Sequence, residues 1–138
     1  MKFSPYIQSV QFPPITEVRS WLAGVDASDD RPLIDLCQAV PDYPPAPQLV
    51  EYLHGLLEDP ETSRYSPDEG LAEVRNSVSA WYGRRYGNAP TPDEICLTIG
   101  ASQAFWLAIM TLCQAGDEVI VQLPAYFDHP MALQALGI

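Results

Sequence analysis

ICLTIGASQAFWLAIMTLCQAGDEVIVQLPAYF, residues 95–127, is the stretch whose reading decides the fold. Residues 95–100 (ICLTIG) form a short apolar run that ends in glycine, the pattern of a buried strand stopped by a turn. Residues 101–116 (ASQAFWLAIMTLCQAG) are long enough and apolar enough for a helix buried on most sides, with Gly116 as its stop. Residues 118–123 (EVIVQL) are rich in Val and Ile and read as a second strand. Strand, helix and strand within about 30 residues make a βαβ unit, normally right-handed with parallel strands. Residues 124–137 (PAYFDHPMALQALG) then read as a loop and a short helix closed by Gly137. A helix as apolar as this one calls for more protein around it than one βαβ unit supplies.

The chemistry of the stretch sits in its first turn, Thr98-Ile99-Gly100-Ala101-Ser102-Gln103-Ala104. A strand ends, small residues make the turn, and a helix begins. The first N–H groups of that helix lack helical acceptors, and the helix dipole is positive there. Ala101 lets an anion approach, and Ser102 adds a hydroxyl donor, so the turn has the makings of a phosphate or carboxylate cradle. It lies where open α/β sheets bind ligands, at the carboxyl end of a strand. The local sequence leaves open an ordinary connection in which Ser102 only caps. The turn is neither GxGxxG nor GxxxxGK[ST], which excludes the usual dinucleotide and P-loop fingerprints. Tyr126 and Phe127 follow the second strand, on the same edge as the turn. A planar ligand anchored in the cradle could lie against Tyr126, although both rings could equally serve as loop anchors.

Working outward, the front of the chain is different in character. Ten of its 14 prolines precede residue 68. Residues 12–24 (FPPITEVRSWLAG) suggest a brief helix stopped by Gly24, and residues 31–47 read as extended, because each residue before a proline is pushed out of helical geometry. Such a segment is expected to drape over other protein. Residues 47–58 predict a helix with Pro47 in its first turn and Leu49, Tyr52, Leu53, Leu56 and Leu57 at helical spacing. A second helix is expected to start with Ser66 as N-cap and Pro67 as first helical residue. It would carry Leu71, Val74, Val78 and Trp81 as a stripe and end at Gly87. The organisation expected is an arm over 1–45 and a domain over 46–138.

Composition narrows the function classes. Seven basic residues against 18 acidic ones give a formal charge of −11, which argues against a nucleic-acid surface and suits a soluble protein. No apolar run approaches the roughly 20 residues that span a bilayer, and MKFSPYIQSVQFPP lacks the apolar core of a signal peptide, so no membrane role and a cytoplasmic location are expected. Cys37, Cys96 and Cys113 show no CxxC spacing and are expected to be reduced core residues; with only His54 and His129, no metal site is suggested.

Taken in order, these features resemble the class I/II aminotransferases, enzymes of the fold-type-I pyridoxal-phosphate superfamily. Ile34-Asp35-Leu36 with Val40-Pro41-Asp42 is similar to the family's early substrate-side segment. Tyr65 to Gly70, Leu71 and Glu73-Val74-Arg75 are similar to its Tyr–Gly–Leu–Arg motif. Trp81-Tyr82 and Arg85-Tyr86-Gly87 continue that helix, residues 98–104 correspond to the phosphate turn, and residues 115–119 (AGDEV) to the approach to the second strand. Pro124-Ala125-Tyr126 corresponds to the segment bearing the ring-stacking aromatic. Each match is weak alone; six in order over about 100 residues are specific.

The resemblance implies an α/β fold: a proline-rich N-terminal arm and helices, followed by the first βαβ part of the large-domain parallel sheet. It implies pyridoxal 5'-phosphate as cofactor and an amino acid and a 2-oxo acid as substrates. Ala101 and Ser102 would bind the phosphate, Gln103 would help orient it, and Tyr126 would stack on the pyridine ring. Tyr65 would reach the phosphate of the neighbouring subunit in a homodimer. Ala39 stands where the family commonly has a glycine beside the substrate carboxylate. The family's Schiff-base lysine has no counterpart here, since the single lysine is Lys2. The chain is therefore expected to correspond to the N-terminal part of such an enzyme, without turnover by itself and of marginal stability or prone to self-association. A carbon–sulfur lyase or decarboxylating relative, a non-catalytic phosphate-binding remnant and a plain α/β interaction domain remain alternatives.

Overall fold

Glycines and prolines punctuate the chain into six α-helices among the described residues: α1 (Pro5–Ser9), α2 (Pro14–Ser20), α3 (Pro47–Leu57), α4 (Ala72–Tyr86), α5 (Gly100–Leu112) and α6 (Asp128–Leu136). The computed structural model describes residues 2–38 and 40–138. Helices α1, α2 and α3 each begin on a proline in the first turn, where a missing N–H costs nothing. Helices α4 and α6 each end on a left-handed glycine, Gly87 at φ +74 and Gly137 at φ +76. These stops, and the start of α3 at Pro47, fall where the sequence puts them. The chain forms two compact units, residues 1–40 with 100–138, and residues 41–99.

In the 41–99 unit the segment around residue 70 departs from expectation. Ser66 and Pro67 do not start a helix. Pro67 to Gly70 close a turn in which the Gly70 N–H donates to the Pro67 carbonyl at 2.9 Å, and α4 begins only at Ala72. The reason is Gly70, whose φ of +95 no helix accommodates. The positive φ lets the turn meet the extended segment 95–99. The Leu97 N–H donates to the Glu69 carbonyl at 3.0 Å, and a Cβ on Gly70 would stand 2.5 Å from Leu97 Cδ1. Helix α4 clasps the same region. Arg75 Nη1 donates to the Pro92 carbonyl at 2.7 Å and Nε to the Gly70 carbonyl at 3.3 Å, and one helical turn on, Ser79 Oγ donates to the Pro90 carbonyl at 2.6 Å. Glu94 accepts from both the N–H and the hydroxyl of Thr91, which holds its carboxyl below the usual carboxylate range, the backbone bond contributing most.

The other unit is built on α5 and α6, with α1 packed against α6. Its buried side chains are Ile109 of α5 and Ala132 and Leu133 of α6. The arm is anchored, with Gln11 N–H donating to Gln134 Oε1 at 3.1 Å and the Tyr6 ring lying against Gly137. Helix α5 ends at Leu112, short of Gly116. Beyond it the chain turns away: the Gln114 N–H donates to the Asp117 carboxylate at 2.9 Å, and the Gly116 N–H donates to the Gly137 carbonyl at 2.8 Å.

Three further expectations fail in this architecture. Among the described residues there is no β-strand; the single bridge is between Ser28 and Arg31. Residues 95–99 and 118–123 are not helical, but neither forms a ladder, so the βαβ sheet is not seen. A strand exists only through lateral hydrogen bonds to a neighbour about 4.8 Å away. Ile99, Ile120 and Leu123, at 89%, 100% and 78% exposure, leave one side of these segments open, while Leu97, Val119 and Val121 are half-buried. Likewise α5 is not enclosed: Leu107, Met110 and Leu112 are exposed, and only Ile109 is buried. Cys96 is exposed and not a core residue, while Cys37 and Cys113 are half-buried; all three are free thiols.

Candidate functional site

Gly100 turns the chain into α5 with φ +77, and nothing lies within 4 Å of the place its Cβ would occupy. A side chain would be strained there and would fill the approach to the helix N-terminus. Ala101 and Ser102 follow in the first turn, where N–H groups point along the axis away from intrahelical acceptors. Ala101 is exposed and Ser102 half-buried, with Gln103 exposed beside them. This is the donor chemistry and the clearance that a phosphate group requires.

Twenty-six residues later the chain returns to Ser102. Its Oγ donates to Asp128 Oδ2 at 3.2 Å, where Asp128 is the first residue of α6. The Tyr126 hydroxyl bonds to the same carboxylate. That hydrogen bond is the first cause that pushes the phenol above its ordinary range; burial and the Asp128 charge add to it, and the Ser102 hydroxyl opposes it. The sequence therefore names two side chains, Ser102 and Tyr126, that folding brings together through a third, Asp128.

The ring of Tyr126 keeps about half its surface open (53%). Its orientation is fixed by neighbours: it lies tilted on Phe127 with centroids 4.8 Å apart, and edge-on to His129 at 5.7 Å. His129 in turn stacks on Phe105 of α5, with centroids 4.1 Å apart and planes 19° from parallel. Phe105 lies one turn beyond Ser102, so this stack ties the aromatic segment to helix α5. Asp128 and His129 escape a motif-based reading. The available signal was Asp128 itself, an acidic residue two positions past the aromatic and at the start of a helix, where a negative charge is favoured.

Tyr65 belongs to the 41–99 unit, where its ring is wholly exposed. Ala39 lies outside the described residues. Among the described residues no group of His, Cys, Asp and Glu could hold a metal ion, and no helix is long and apolar enough to cross a membrane.

Comparison with known proteins shows the family. The family model described as aminotransferase class I and II matches residues 31–138. An aromatic aminotransferase of Arabidopsis thaliana is 36% identical over 126 residues, which are 91% of this chain and 30% of the relative. An aspartate aminotransferase of Thermotoga maritima is 34% identical over 106 residues, covering 76% of this chain and 28% of the relative. The chain thus spans about 30% of the length of these curated relatives. Among solved structures, an alanine aminotransferase from Pyrococcus furiosus superposes on 99% of this chain and 35% of its own, with a TM-score of 0.78 and 25% identity. Apo-BacF from Bacillus subtilis, at 22% identity, shares the fold with a TM-score of 0.80 over 99% of this chain and 35% of its own.

Proposed function

The chain belongs to the class I and II aminotransferases, and from that premise we propose that it supplies the phosphate-and-ring side of a pyridoxal 5'-phosphate site in an enzyme that moves an amino group between an amino acid and a 2-oxo acid. The observation that carries this reading is the convergence of Ser102 and Tyr126, from two separate segments, at the first turn of α5.

The residues fit the cofactor. Gly100 leaves the approach clear, the amides of Ala101 and Ser102 and the Ser102 hydroxyl would hold the phosphate, and Gln103 would orient it. The half-open ring of Tyr126 offers a face for the pyridine. When bound, the cofactor supplies an aldehyde and an electron-withdrawing ring, which are the reactive parts of amino-group transfer. The work of these side chains is to bind and orient. None of them is placed to move a proton at the reacting carbon, and the one lysine, Lys2, belongs to the arm. Residues 46–138 are read as the first part of the cofactor-binding domain and residues 1–45 as its arm. Tyr65, exposed on the other unit, would reach the phosphate held by a second subunit of a homodimer, and Ala39 would border the substrate carboxylate.

The test uses 4-deoxypyridoxine 5'-phosphate, which carries the ring and phosphate but no aldehyde, so that binding cannot arise from chance imine formation. Titration into the chain, followed by tryptophan fluorescence or calorimetry, is expected to show saturable binding that 4-deoxypyridoxine lacks. Ser102→Phe should abolish it. Equal binding with and without the phosphate would refute the cradle.

A further inference from the structure

The two side chains on which the proposed cofactor site relies share a partner that this reading leaves without a role. Ser102 Oγ is 3.2 Å from Asp128 Oδ2, and the Tyr126 hydroxyl bonds to the same carboxylate. A serine hydroxyl carries one proton. It cannot donate at once to Asp128 and to a phosphate oxygen. A carboxylate and a phosphate at one helix N-terminus also repel each other, and both are drawn to the same positive dipole end.

The position of Asp128 is well defined. It opens α6, and the residues on either side are locked, Tyr126 and Phe127 against each other and His129 between Phe105 and Tyr126. The groups that meet its carboxylate are Ser102 from α5 and Tyr126 from the preceding loop, while the His129 ring is held between Phe105 and Tyr126. Asp128 also lines a groove of about 660 Å³ together with Ile7, Phe12, Trp106 and Met131, a lining that supplies no cation. Among the described residues Asp128 enters no ion pair closer than 4 Å. Its charge is therefore not neutralised by any neighbour that could spare an incoming anion.

We propose that Asp128 sets the anion affinity of the cradle, its carboxylate competing with the cofactor's phosphate for the Ser102 hydroxyl and for the positive end of α5. The inference rests on the cofactor reading above and deepens it. Loading the site requires the Ser102 hydroxyl to rotate from Asp128 to the phosphate. Free phosphate, which has only the cradle to offset that competition, is held weakly. A ligand that also presents a ring to Tyr126 has a second source of binding and overcomes it.

The experiment titrates inorganic phosphate, followed by ³¹P NMR, into the chain and into Asp128→Asn, Asp128→Ala, Ser102→Ala and the Ser102→Ala/Asp128→Asn double variant, each checked by circular dichroism. Asn keeps the size and one acceptor of Asp but not its charge, and Ala removes both, so agreement between the two isolates the charge. Both are expected to bind phosphate about tenfold more tightly than the unaltered chain, the factor for one charge removed from beside a phosphate in water-like surroundings. Ser102→Ala is expected to cost more in the Asp128→Asn background than in the unaltered chain, because only there is the hydroxyl released to the anion. If Asp128→Asn and Asp128→Ala bind phosphate no better than the unaltered chain while Ser102→Ala still weakens binding, the cradle stands and the role given to Asp128 falls. If no variant binds phosphate and 4-deoxypyridoxine 5'-phosphate is ignored as well, the cofactor reading falls and takes this inference with it.

Discussion

Replacing Arg75 with methionine should loosen the segment 90–97 that it clasps, and the structure allows the size of the effect to be worked out. The Arg75 side chain is only 11% exposed, and its guanidinium holds two backbone carbonyls from different loops, Pro92 at 2.7 Å and Gly70 at 3.3 Å. A charged donor on a carbonyl contributes about 1.5–3 kcal/mol, and the longer second bond about 0.5–1 kcal/mol. The ion pairs to Glu69 at 3.5 Å and Asp93 at 3.3 Å have partners 51% and 97% exposed, so each adds between about 0 and 1 kcal/mol and is screened by salt. Methionine keeps the apolar stem and recovers the cost of holding a charge out of water, which offsets part of the sum. The expected loss is about 2–3 kcal/mol. Native-state hydrogen exchange at the Leu97 amide, which donates to Glu69 across the clasped turn, should then accelerate by roughly 30- to 150-fold. Arg75→Lys should lie between the two, since an ammonium cannot span both carbonyls. In 0.5 M salt the unaltered chain should lose less than about 2 kcal/mol, the combined share of the two exposed ion pairs. An exchange rate in Arg75→Met within about twofold of the unaltered chain would refute the reasoning, because it would mean that the carbonyls find water as easily as they find the arginine.

Gly70→Ala should be at least as damaging, since it forces a methyl at φ +95 to within 2.5 Å of Leu97 Cδ1; a loss of about 2–4 kcal/mol in urea denaturation is expected, and a neutral result would contradict the close approach. The Tyr126 phenol should titrate above its ordinary range, and ¹³C labelling is needed to single it out among seven tyrosines. Because the folded phenol is raised, whatever stability it contributes is present below the unfolded value near 10 and is lost as pH rises through the folded one; Asp128→Asn should bring the titration back toward the ordinary range, and an unmoved resonance would break the link to Asp128. Glu94 has the opposite sign: its lowered carboxyl stabilises above the unfolded value and loses that contribution as pH falls through the folded one, so Thr91→Ala should shift its NMR titration upward. Finally, the purified chain with added pyridoxal 5'-phosphate should show no transamination above free cofactor in a coupled assay. Sedimentation should also reveal self-association driven by the exposed apolar face of α5, and a strictly monomeric chain would argue against that face being adhesive.

What the sequence determined by itself is what depends on a few neighbouring residues. The start of α3 at Pro47, the left-handed stops at Gly87 and Gly137, and the helix that begins at the Gly100-Ala101-Ser102 turn are set by φ preferences and by hydrogen bonds within one helical turn, all written in adjacent letters. The order of motifs was legible for the same reason, and it sufficed for the family. Tertiary structure decided whatever needs a distant partner. Pro67 looks like a helix start until Leu97 meets Gly70 and makes residues 67–70 a turn. Residues 95–99 and 118–123 carry strand composition, yet composition makes no strand without a neighbour to accept its hydrogen bonds. Ser102 and Tyr126 were both visible as single residues. That they meet through Asp128 was not, because a hydrogen bond between residues 26 apart is fixed by how α5 and α6 pack and by no local pattern.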